Sequence, residues 1–277
     1  MAIYYYYCDF STFQSMLNAK TLWLTDLTRS NDSEEVLRAY RILWERVKTG
    51  LRLTDLPKDI LNSQIEILDS VFQIQSITDI PYGCCFCADD DLPHLWNEYA
   101  NRGKGVALGF DLDAINGLHK QYPITSALIS HSLGYEAVIY DSDVLVNHMI
   151  KLLYSAIQGN GYQAALTRIL PTFKHYASFI KNPTFRDERE TRIVFYPSDK
   201  FEDSLDNLSQ LESDTINTTG HYNLGWFYEG VSALKSVKIG FDCDVECEKI
   251  QQMIKEAGIE SQIDILKSHC SYRARQH

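Results

Sequence analysis

The sequence is poor in positive charge. Its 277 residues include 26 Lys and Arg against 37 Asp and Glu, which gives a formal net charge of −11. Such a chain repels a phosphate backbone at long range, which argues against a histone-like or architectural role on nucleic acid. A local basic pocket could still bind an anionic ligand.

Long apolar runs are also missing. None reaches the ~20 residues that a helix needs to cross a bilayer. The start of the chain, Met1-Ala2-Ile3 followed by four tyrosines, lacks the basic and leucine-rich regions of a signal peptide. The seven cysteines, an odd number at irregular spacing, fit reduced thiols. We therefore expect a cytoplasmic protein with no membrane partner.

The common cofactor and catalytic fingerprints are absent. The chain contains no GxGxxG, no GxxxxGK[ST], no HExxH and no GxSxG. Its first histidine is His94, which leaves the first strand and the first helix without one. The other histidines are scattered without metal-ligand spacing, and we interpret them as surface or core residues.

Aromatic residues, in contrast, are abundant. There are 17 Tyr, 12 Phe and 4 Trp, and tyrosine suits both pocket walls and cores. Trp96 and Tyr99 are three residues apart and therefore share one helix face. The pair could wall a pocket for a flat ring, or it could simply pack in the core.

The apolar periodicity predicts an α+β fold in a single domain over 1–277. We expect a central split or mixed sheet, a helical insertion at about 141–180 and a polar loop at about 201–220. The predicted strands are 3–8, 21–25, 84–87, 106–110, 135–140, 189–196, 237–241 and 263–266. The predicted helices include 31–47, 58–72, 92–100, 142–157, 162–179 and 245–257.

The most suggestive polar pattern precedes the strand at 189–196. If the strand includes them, Glu188, Glu190 and Arg192 share one face. Two carboxylates ~7 Å apart repel each other, and the adjacent Arg would hold one of them charged. Such a pair suits a sugar substrate, where one carboxylate accepts hydroxyl hydrogen bonds and the other faces positive charge on the anomeric carbon. The alternative is a charged edge strand with solvated ion pairs.

A second polar group opens the helix at 31–47. Asn31, Asp32 and Glu35 are typical of a helix N-terminus, where they cap the first turn. They could also form a polar rim whose backbone N–H groups meet a phosphate or ribose.

The cysteine cluster allows a metal site as an alternative. Cys84, Cys85 and Cys87 could combine with Cys243 and Cys247 to bind zinc. Because consecutive residues of a strand point to opposite faces, we instead expect buried, reduced thiols and no metal.

Taken in order, these motifs resemble a known family. It is the bacterial family catalogued as domain of unknown function 2971, and the resemblance covers nearly the whole chain. The motifs that carry it are Tyr5 and Tyr7, Asn31-Asp32-x-x-Glu35, Cys85-Phe86-Cys87, Trp96-x-x-Tyr99-Ala100, Gly105 to Phe110, Lys181, Phe185, Glu188-x-Glu190-x-Arg192 and Val237 to Gly240.

A more distant resemblance is to the ADP-ribosyltransferase superfamily, which splits NAD at the nicotinamide–ribose bond. It rests on the opening aromatic strand, a short strand ending in Thr25 and the late Glu-x-Glu strand. By position, this resemblance implies that Glu190 is the catalytic carboxylate and Glu188 its partner on the acceptor side. Tyr7 and Thr25 would line the nicotinamide end. Where members commonly carry His or Arg on the first strand, this chain has only Tyr.

The first functional hypothesis follows from this resemblance. It is a bacterial effector, toxin or anti-phage defence protein of ADP-ribosyltransferase type, with NAD as substrate and a protein or nucleic acid as acceptor. The residues expected to bind NAD or another nucleotide are Tyr7, Thr25, Asn31, Asp32, Glu35, Trp96, Tyr99 and Arg192.

Two further hypotheses stay open. One is a metal-dependent nuclease or phosphohydrolase built from carboxylates. The absence of a carboxylate-plus-Lys sequence motif argues against it. The other is a non-enzymatic sensor or interaction protein that binds its ligand in a tyrosine-rich cleft.

Overall fold

The computed structural model describes residues 2–29, 35–78, 80–118, 132–159, 169–170, 172–173, 175–196 and 221–271. The strands are β1 (Ile3–Cys8), β2 (Thr21–Asp26), β3 (Tyr82–Cys87), β4 (Val106–Asp111), β5 (Ser132–Ala137), β6 (Glu190–Tyr196), β7 (His221–Gly225), β8 (Phe227–Tyr228), β9 (Val231–Ser232), β10 (Leu234–Ile239) and β11 (Asp264–Lys267). The helices whose bounds the described residues give are α1 (Phe10–Ala19), α2 (Glu35–Arg52), α3 (Lys58–Thr78), α4 (Pro93–Glu98), α5 (Leu112–Leu118), α6 (Asp143–Gln158) and α7 (Cys247–Glu256), with short 3₁₀ segments such as Pro183–Glu188.

The sheet is mixed and split. Its strand order is β11-β10-β4-β1-β3-β2-β7, and β6 pairs with both β3 and β5. Only β10 and β11 run parallel to each other among these pairs. The predicted α+β class with a split or mixed sheet is thereby confirmed.

The split arises at β3. Strand β6 occupies one edge of β3 over its whole length, from Tyr82 opposite Phe195 to Cys87 opposite Glu190. Strands β1 and β2 must therefore share the other edge, since a strand has only two edges. β1 meets it at Cys87, and β2 meets it at Tyr82 and Gly83. The two strands diverge between these points and leave a gap over the middle of β3.

Two helical layers cover the sheet. On one face α1 and α7 pack with buried residues such as Phe13, Leu17, Ile250 and Ile254. On the other face α2, α3 and α6 surround Trp44, whose ring lies 4.9 Å from that of Phe72. Strand β6 is buried throughout because its alternate side chains face these two layers.

Local sequence signals explain several element ends. Asp9 caps α1, where its carboxylate accepts a hydrogen bond from the Thr12 backbone N–H at 2.7 Å. Lys20 ends that helix in the left-handed region, with φ 56°. Arg189, with φ 45°, closes the 3₁₀ segment Pro183–Glu188 in the same way and turns the chain into β6.

Some predicted bounds were wrong. The strand predicted at 135–140 is Ser132–Ala137, and the one predicted at 189–196 begins at Glu190. The strand predicted at 237–241 is Leu234–Ile239. The helix predicted at 58–72 continues to Thr78. Strand β7 and helix α5 were not predicted, because neither five-residue β7 nor seven-residue α5 carries a sustained periodicity.

Other predictions lie wholly or partly outside the described residues. Helix α2 begins at Glu35, so the predicted start at 31 falls outside them. The polar loop at 201–220 lies entirely outside, as does Pro171 within the predicted helix at 162–179. In the part of the chain that the structure describes, no helix is both long enough and apolar enough to cross a membrane.

Replacing Gly105 by Ala should lower the free energy of unfolding by about 1–3 kcal/mol. A Cβ at Gly105 would lie 2.1 Å from the backbone oxygen of Cys8, so β1 and β4 would have to separate. Denaturant unfolding followed by circular dichroism measures the change. Gly159→Ala is the control, since among the described residues the nearest atom to its Cβ would be the Ser155 carbonyl oxygen, at 3.3 Å. Equal stability of the two variants would contradict the close approach of β1 and β4.

Candidate functional site

A cleft opens where β1 and β2 diverge over β3. Its volume is about 550 Å³, within the range of sites for small molecules and cofactors. The lining residues come from β1, β2 and the turn after it, β3, α4 and its C-terminal end, β6 and the segment before β6. They are Tyr5, Tyr6, Tyr7, Trp23, Thr25, Leu27, Gly83, Cys84, Cys85, Phe86, Cys87, Leu95, Tyr99, Lys181, Phe185, Glu188, Glu190 and Arg192.

Glu190 and Arg192 form a buried ion pair at one end of the cleft. Arg192 Nε donates to Glu190 Oε1 at 2.6 Å, and Arg192 Nη1 donates to the Ser178 carbonyl at 2.8 Å. The Glu190 side chain is 4% exposed and the Arg192 side chain 1%. The two residues lie on one face of β6 because they are two positions apart. Arg192 thus fixes one oxygen of Glu190, while the other oxygen is left for a second partner.

That partner is Lys181, which joins the two acidic residues. Its Nζ lies 2.8 Å from Glu190 Oε2 and 2.6 Å from Glu188 Oε2. Because both oxygens contact one nitrogen, they lie within about 5.5 Å of each other. The same Nζ lies 4.9 Å from the centre of the Phe185 ring, a cation–π arrangement.

The charge state of Glu190 follows from these contacts. Burial, the largest single effect, would raise its pKa, but the charges of Arg192 and Lys181 oppose burial. Hydrogen bonds from Arg192 and from the Cys85 thiol add to their effect, and together they lower the pKa of Glu190 to about 2. Glu190 is therefore a carboxylate at any physiological pH.

Cys85 differs from the other cysteines of β3. Cys84 and Cys87 are buried, as the sequence predicted, but Cys85 is accessible from the cleft. Loss of hydration and the neighbouring Glu190 charge raise the pKa of the Cys85 thiol well above its ordinary value. A thiol held neutral donates a hydrogen bond to Glu190 and is a poor nucleophile.

Tyr7 forms part of the wall on the β1 side. Its hydroxyl donates to the Asp89 carbonyl at 3.0 Å and accepts from the Leu92 backbone N–H at 3.1 Å. The ring packs edge-on against Trp96, with ring centres 5.0 Å apart. Both hydroxyl contacts tie Tyr7 to the loop after β3, so its role is to shape the wall.

Trp96 supports this wall from behind and does not line the cleft. Its side chain is fully buried, and Nε1 donates to Asp91 Oδ1 at 2.7 Å. The structure thus places Trp96 behind the wall and not among the cleft-lining residues, unlike the pocket-wall position predicted for it from the sequence. Asp91 also accepts hydrogen bonds from Ser268 Oγ at 2.5 Å and from the His269 backbone N–H at 2.8 Å. The residues after β11 are thereby fastened behind the wall.

The cleft mouth carries exposed aromatic rings. Tyr99 is 41% exposed, Phe185 38% and Trp23 57%. Loss of hydration and the nearby Glu188 charge raise the pKa of Tyr99 to about 12, so its hydroxyl stays protonated. On the β2 side, Thr25 lies beside Gly83, with its hydroxyl 3.4 Å from the Gly83 carbonyl oxygen.

Six of the ten predicted site residues meet in this cleft: Tyr7, Thr25, Tyr99, Glu188, Glu190 and Arg192. Glu188, however, is not on the strand face predicted for it. It ends the 3₁₀ segment before β6, and Arg189, with a left-handed backbone, separates it from the strand. Glu35 begins α2, and its side chain is outside the description. Asn31 and Asp32 lie outside the described residues.

Sequence reasoning missed several lining residues. Lys181 and Phe185 were noted as motif positions, but their proximity to the carboxylates was not recognised. Their spacing from Glu188-x-Glu190 was the available signal. The absence of a carboxylate-plus-Lys sequence motif also proved uninformative, since the fold brings Lys181 to both carboxylates. Within the described ranges, no group of three or more His, Cys, Asp or Glu side chains could hold a metal ion.

Comparison with known proteins adds one finding. Residues 95–193 match the model of a family described as "Protein of unknown function (DUF2971)". This match supports the family resemblance over less than half of the chain, including α4, β4 and the carboxylate end of the cleft. No curated protein and no solved structure matches the chain.

Replacing Glu190 by Gln should lower the free energy of unfolding at neutral pH by about 3 kcal/mol, because Arg192 loses its buried counter-ion. The effect depends on pH. The folded pKa is about 2 against an ordinary value of 4.5, so the unfolded chain takes up the proton first as the pH falls. The contribution of ionised Glu190 to the free energy of unfolding is complete above about pH 4.5 and is lost as the pH drops from there towards 2.

Denaturant titrations at about pH 6 and pH 3.5 measure this dependence. The difference between wild type and Glu190→Gln should shrink by about 1.4 kcal/mol over that interval. Glu260→Gln, at an exposed position, is the matched control and should leave stability nearly unchanged at both pH values. A wild-type advantage that stays constant with pH would show that Glu190 is not held ionised by its partners.

Proposed function

We propose that the cleft binds NAD and that the protein breaks the bond between nicotinamide and ribose. ADP-ribose would pass to a macromolecular acceptor or to water. The observation that carries this proposal is Glu190, a carboxylate kept ionised at the end of an aromatic-lined cleft. The choice of NAD rests on the distant sequence resemblance to ADP-ribosyltransferases described above.

The chemistry explains why such a carboxylate is useful. When the glycosidic bond breaks, its electrons leave with nicotinamide, and positive charge develops at the anomeric carbon. A fixed negative charge beside that carbon stabilises the transition state more than the ground state. Arg192 holds Glu190 Oε1 from behind, so the carboxylate needs little reorganisation when the charge appears.

Glu188 is the second carboxylate of the proposal. Its Oε2 and that of Glu190 contact one lysine nitrogen, so both acids can flank a single sugar carbon. Glu188 is more exposed than Glu190, 18% against 4%, which places it on the solvent side. We assign it to the acceptor, whose proton it can take as the new bond to the anomeric carbon forms.

Lys181 has a separate role in this proposal. Its ammonium lies between the two carboxylates, where positive charge is best stabilised. Substrate positive charge at that point would compete with Lys181, so the lysine side chain has to move when NAD binds. Its long flexible stem permits this movement, whereas Arg192 is fully buried and stays in place.

In this proposal, aromatic residues bind nicotinamide, the leaving group. Tyr7 and Thr25 stand on either side of the gap between β1 and β2, and Tyr99 stands at the mouth. A flat pyridinium ring fits such walls through stacking and apolar contact. The first strand offers Tyr where superfamily members commonly have His or Arg. Since the Tyr7 hydroxyl is already bonded to the Asp89–Leu92 loop, Tyr7 contributes shape and not a ligand hydrogen bond.

The biological setting we propose is that of a bacterial effector, toxin or anti-phage defence protein acting on a macromolecule. The acidic net charge of −11 limits long-range attraction to a phosphate backbone. Acceptor recognition would then depend on contacts near the cleft.

Incubating the purified protein with NAD and bacterial lysate should release nicotinamide and label a macromolecule with ADP-ribose. Glu190→Gln should slow nicotinamide release by roughly 10²–10³-fold, the usual cost of losing one transition-state electrostatic contact. Glu260→Gln should retain full activity.

The assay is run at neutral pH and low temperature, with circular dichroism to verify that each variant is folded. Calorimetric titration with NAD separates binding from turnover. A wild-type protein that neither binds NAD nor releases nicotinamide would overturn the proposal. So would a folded Glu190→Gln variant with unchanged turnover.

A further inference from the structure

Trp23 is a cleft residue to which the proposed chemistry assigns no role. It is 57% exposed, whereas Trp44, Trp96 and Trp226 are each 5% exposed or less. It lies on β2 and lines the cleft together with Thr25, two positions away on the same strand face. Isolated exposed hydrophobic residues are common on protein surfaces, but this one stands within a concave site.

One face of the Trp23 ring is already covered. The His221 imidazole stacks on it, with ring centres 4.2 Å apart and planes 19° from parallel. His221 is held opposite Thr25 by the pairing of β7 with β2, and it is buried. The indole is thus backed by a ring that the β7–β2 pairing holds in the sheet, and it contributes to the lining of the cleft.

A ring supported in this way favours a further planar ring. Stacking on the open face would extend the His221–Trp23 pair by one layer without moving a strand. Nucleobases and related heteroaromatic rings suit this arrangement because stacking on an aromatic side chain needs only a π-face. An aliphatic ligand would gain only contact area there.

The position of Trp23 also fits a ligand that reaches the carboxylates. Strands β2 and β6 lie on opposite edges of β3, which runs between them. Trp23 and Glu190 therefore stand at opposite sides of one cleft of about 550 Å³. A nucleotide, with a flat ring at one end and a charged sugar phosphate, is of the size that such a cleft holds.

We propose that Trp23, backed by His221, is the stacking platform for the planar heteroaromatic ring of a nucleotide bound in this cleft. The inference rests on the proposed nucleotide chemistry of the cleft and deepens it by naming a ring-binding residue. The ring is either a purine or a pyridinium, and the experiment distinguishes them. Stacking on Trp23 does not require turnover, so nucleotide binding can be measured by itself.

Tryptophan fluorescence tests the proposal directly, because Trp23 is the one exposed tryptophan of the four. The wild-type protein is titrated with AMP, with nicotinamide mononucleotide and with ribose 5-phosphate, which has no ring. Excitation at the red edge of the tryptophan band keeps absorption by the nucleotides low. At least one of the two nucleotides should quench the emission saturably, and ribose 5-phosphate should not.

Two variants locate the signal. Trp23→Phe should lose the saturable quenching, and calorimetric affinity for the same nucleotide should fall in Trp23→Ala by roughly 10- to 100-fold, the range expected for one stacked base. Tyr228→Ala is the control, since it removes an exposed aromatic residue (48%) that does not line the cleft. It should keep both the quenching and the affinity.

The outcomes separate this proposal from the proposed reaction. Saturable quenching that disappears in Trp23→Phe supports the platform even if NAD is not cleaved. Cleavage of NAD with no nucleotide-dependent change at Trp23, or with quenching retained in Trp23→Phe, overturns the platform and leaves the reaction standing. AMP acting alone identifies a purine site, and nicotinamide mononucleotide acting alone identifies a pyridinium site.

Discussion

A strand has two hydrogen-bonding edges, and β6 occupies one edge of β3 completely. This constraint shapes the site, because β1 and β2 are left to divide the remaining edge and cannot run side by side along it. The gap between them becomes the cleft, and β3 becomes its floor. The same pairing brings Glu190 opposite Cys87 and Arg192 opposite Cys85, so the carboxylate, the guanidinium and the accessible thiol meet where the sheet divides.

Burying two acidic and two basic groups together would be costly without close pairing. Here every charge has a named partner: Arg192 with Glu190, and Lys181 with both acids. The cluster is nearly neutral as a whole, yet its members differ in freedom. Arg192 is enclosed by β6 and by the Ser178 carbonyl, whereas Lys181 reaches the carboxylates on a long side chain beside the Phe185 ring. The arrangement combines an enclosed guanidinium with an ammonium that two carboxylates share.

The sequence predicted what depends on local periodicity. Alternation along a strand placed Glu190 and Arg192 on one face, and the early strands were found with nearly correct bounds. Features set by distant pairing were not predictable. His221 reaches Trp23 only because β7 pairs with β2, about 200 positions earlier in the chain. Helical spacing put Trp96 and Tyr99 on one face, but it could not show that Trp96 faces the core and Tyr99 the cleft mouth.

The hydrogen bonds of Asp91 determine when the cleft wall can be completed as the chain is synthesised. The wall behind Tyr7 rests on Trp96, and Trp96 is held by Asp91, which also binds Ser268 and His269. Asp91 and Ser268 are 177 positions apart. During synthesis, β1, β3 and α4 leave the ribosome long before the residues that complete the Asp91 hydrogen bonds. A chain still being translated would thus carry an unfinished wall, and the cleft would reach its final shape only after residue 269 has folded back.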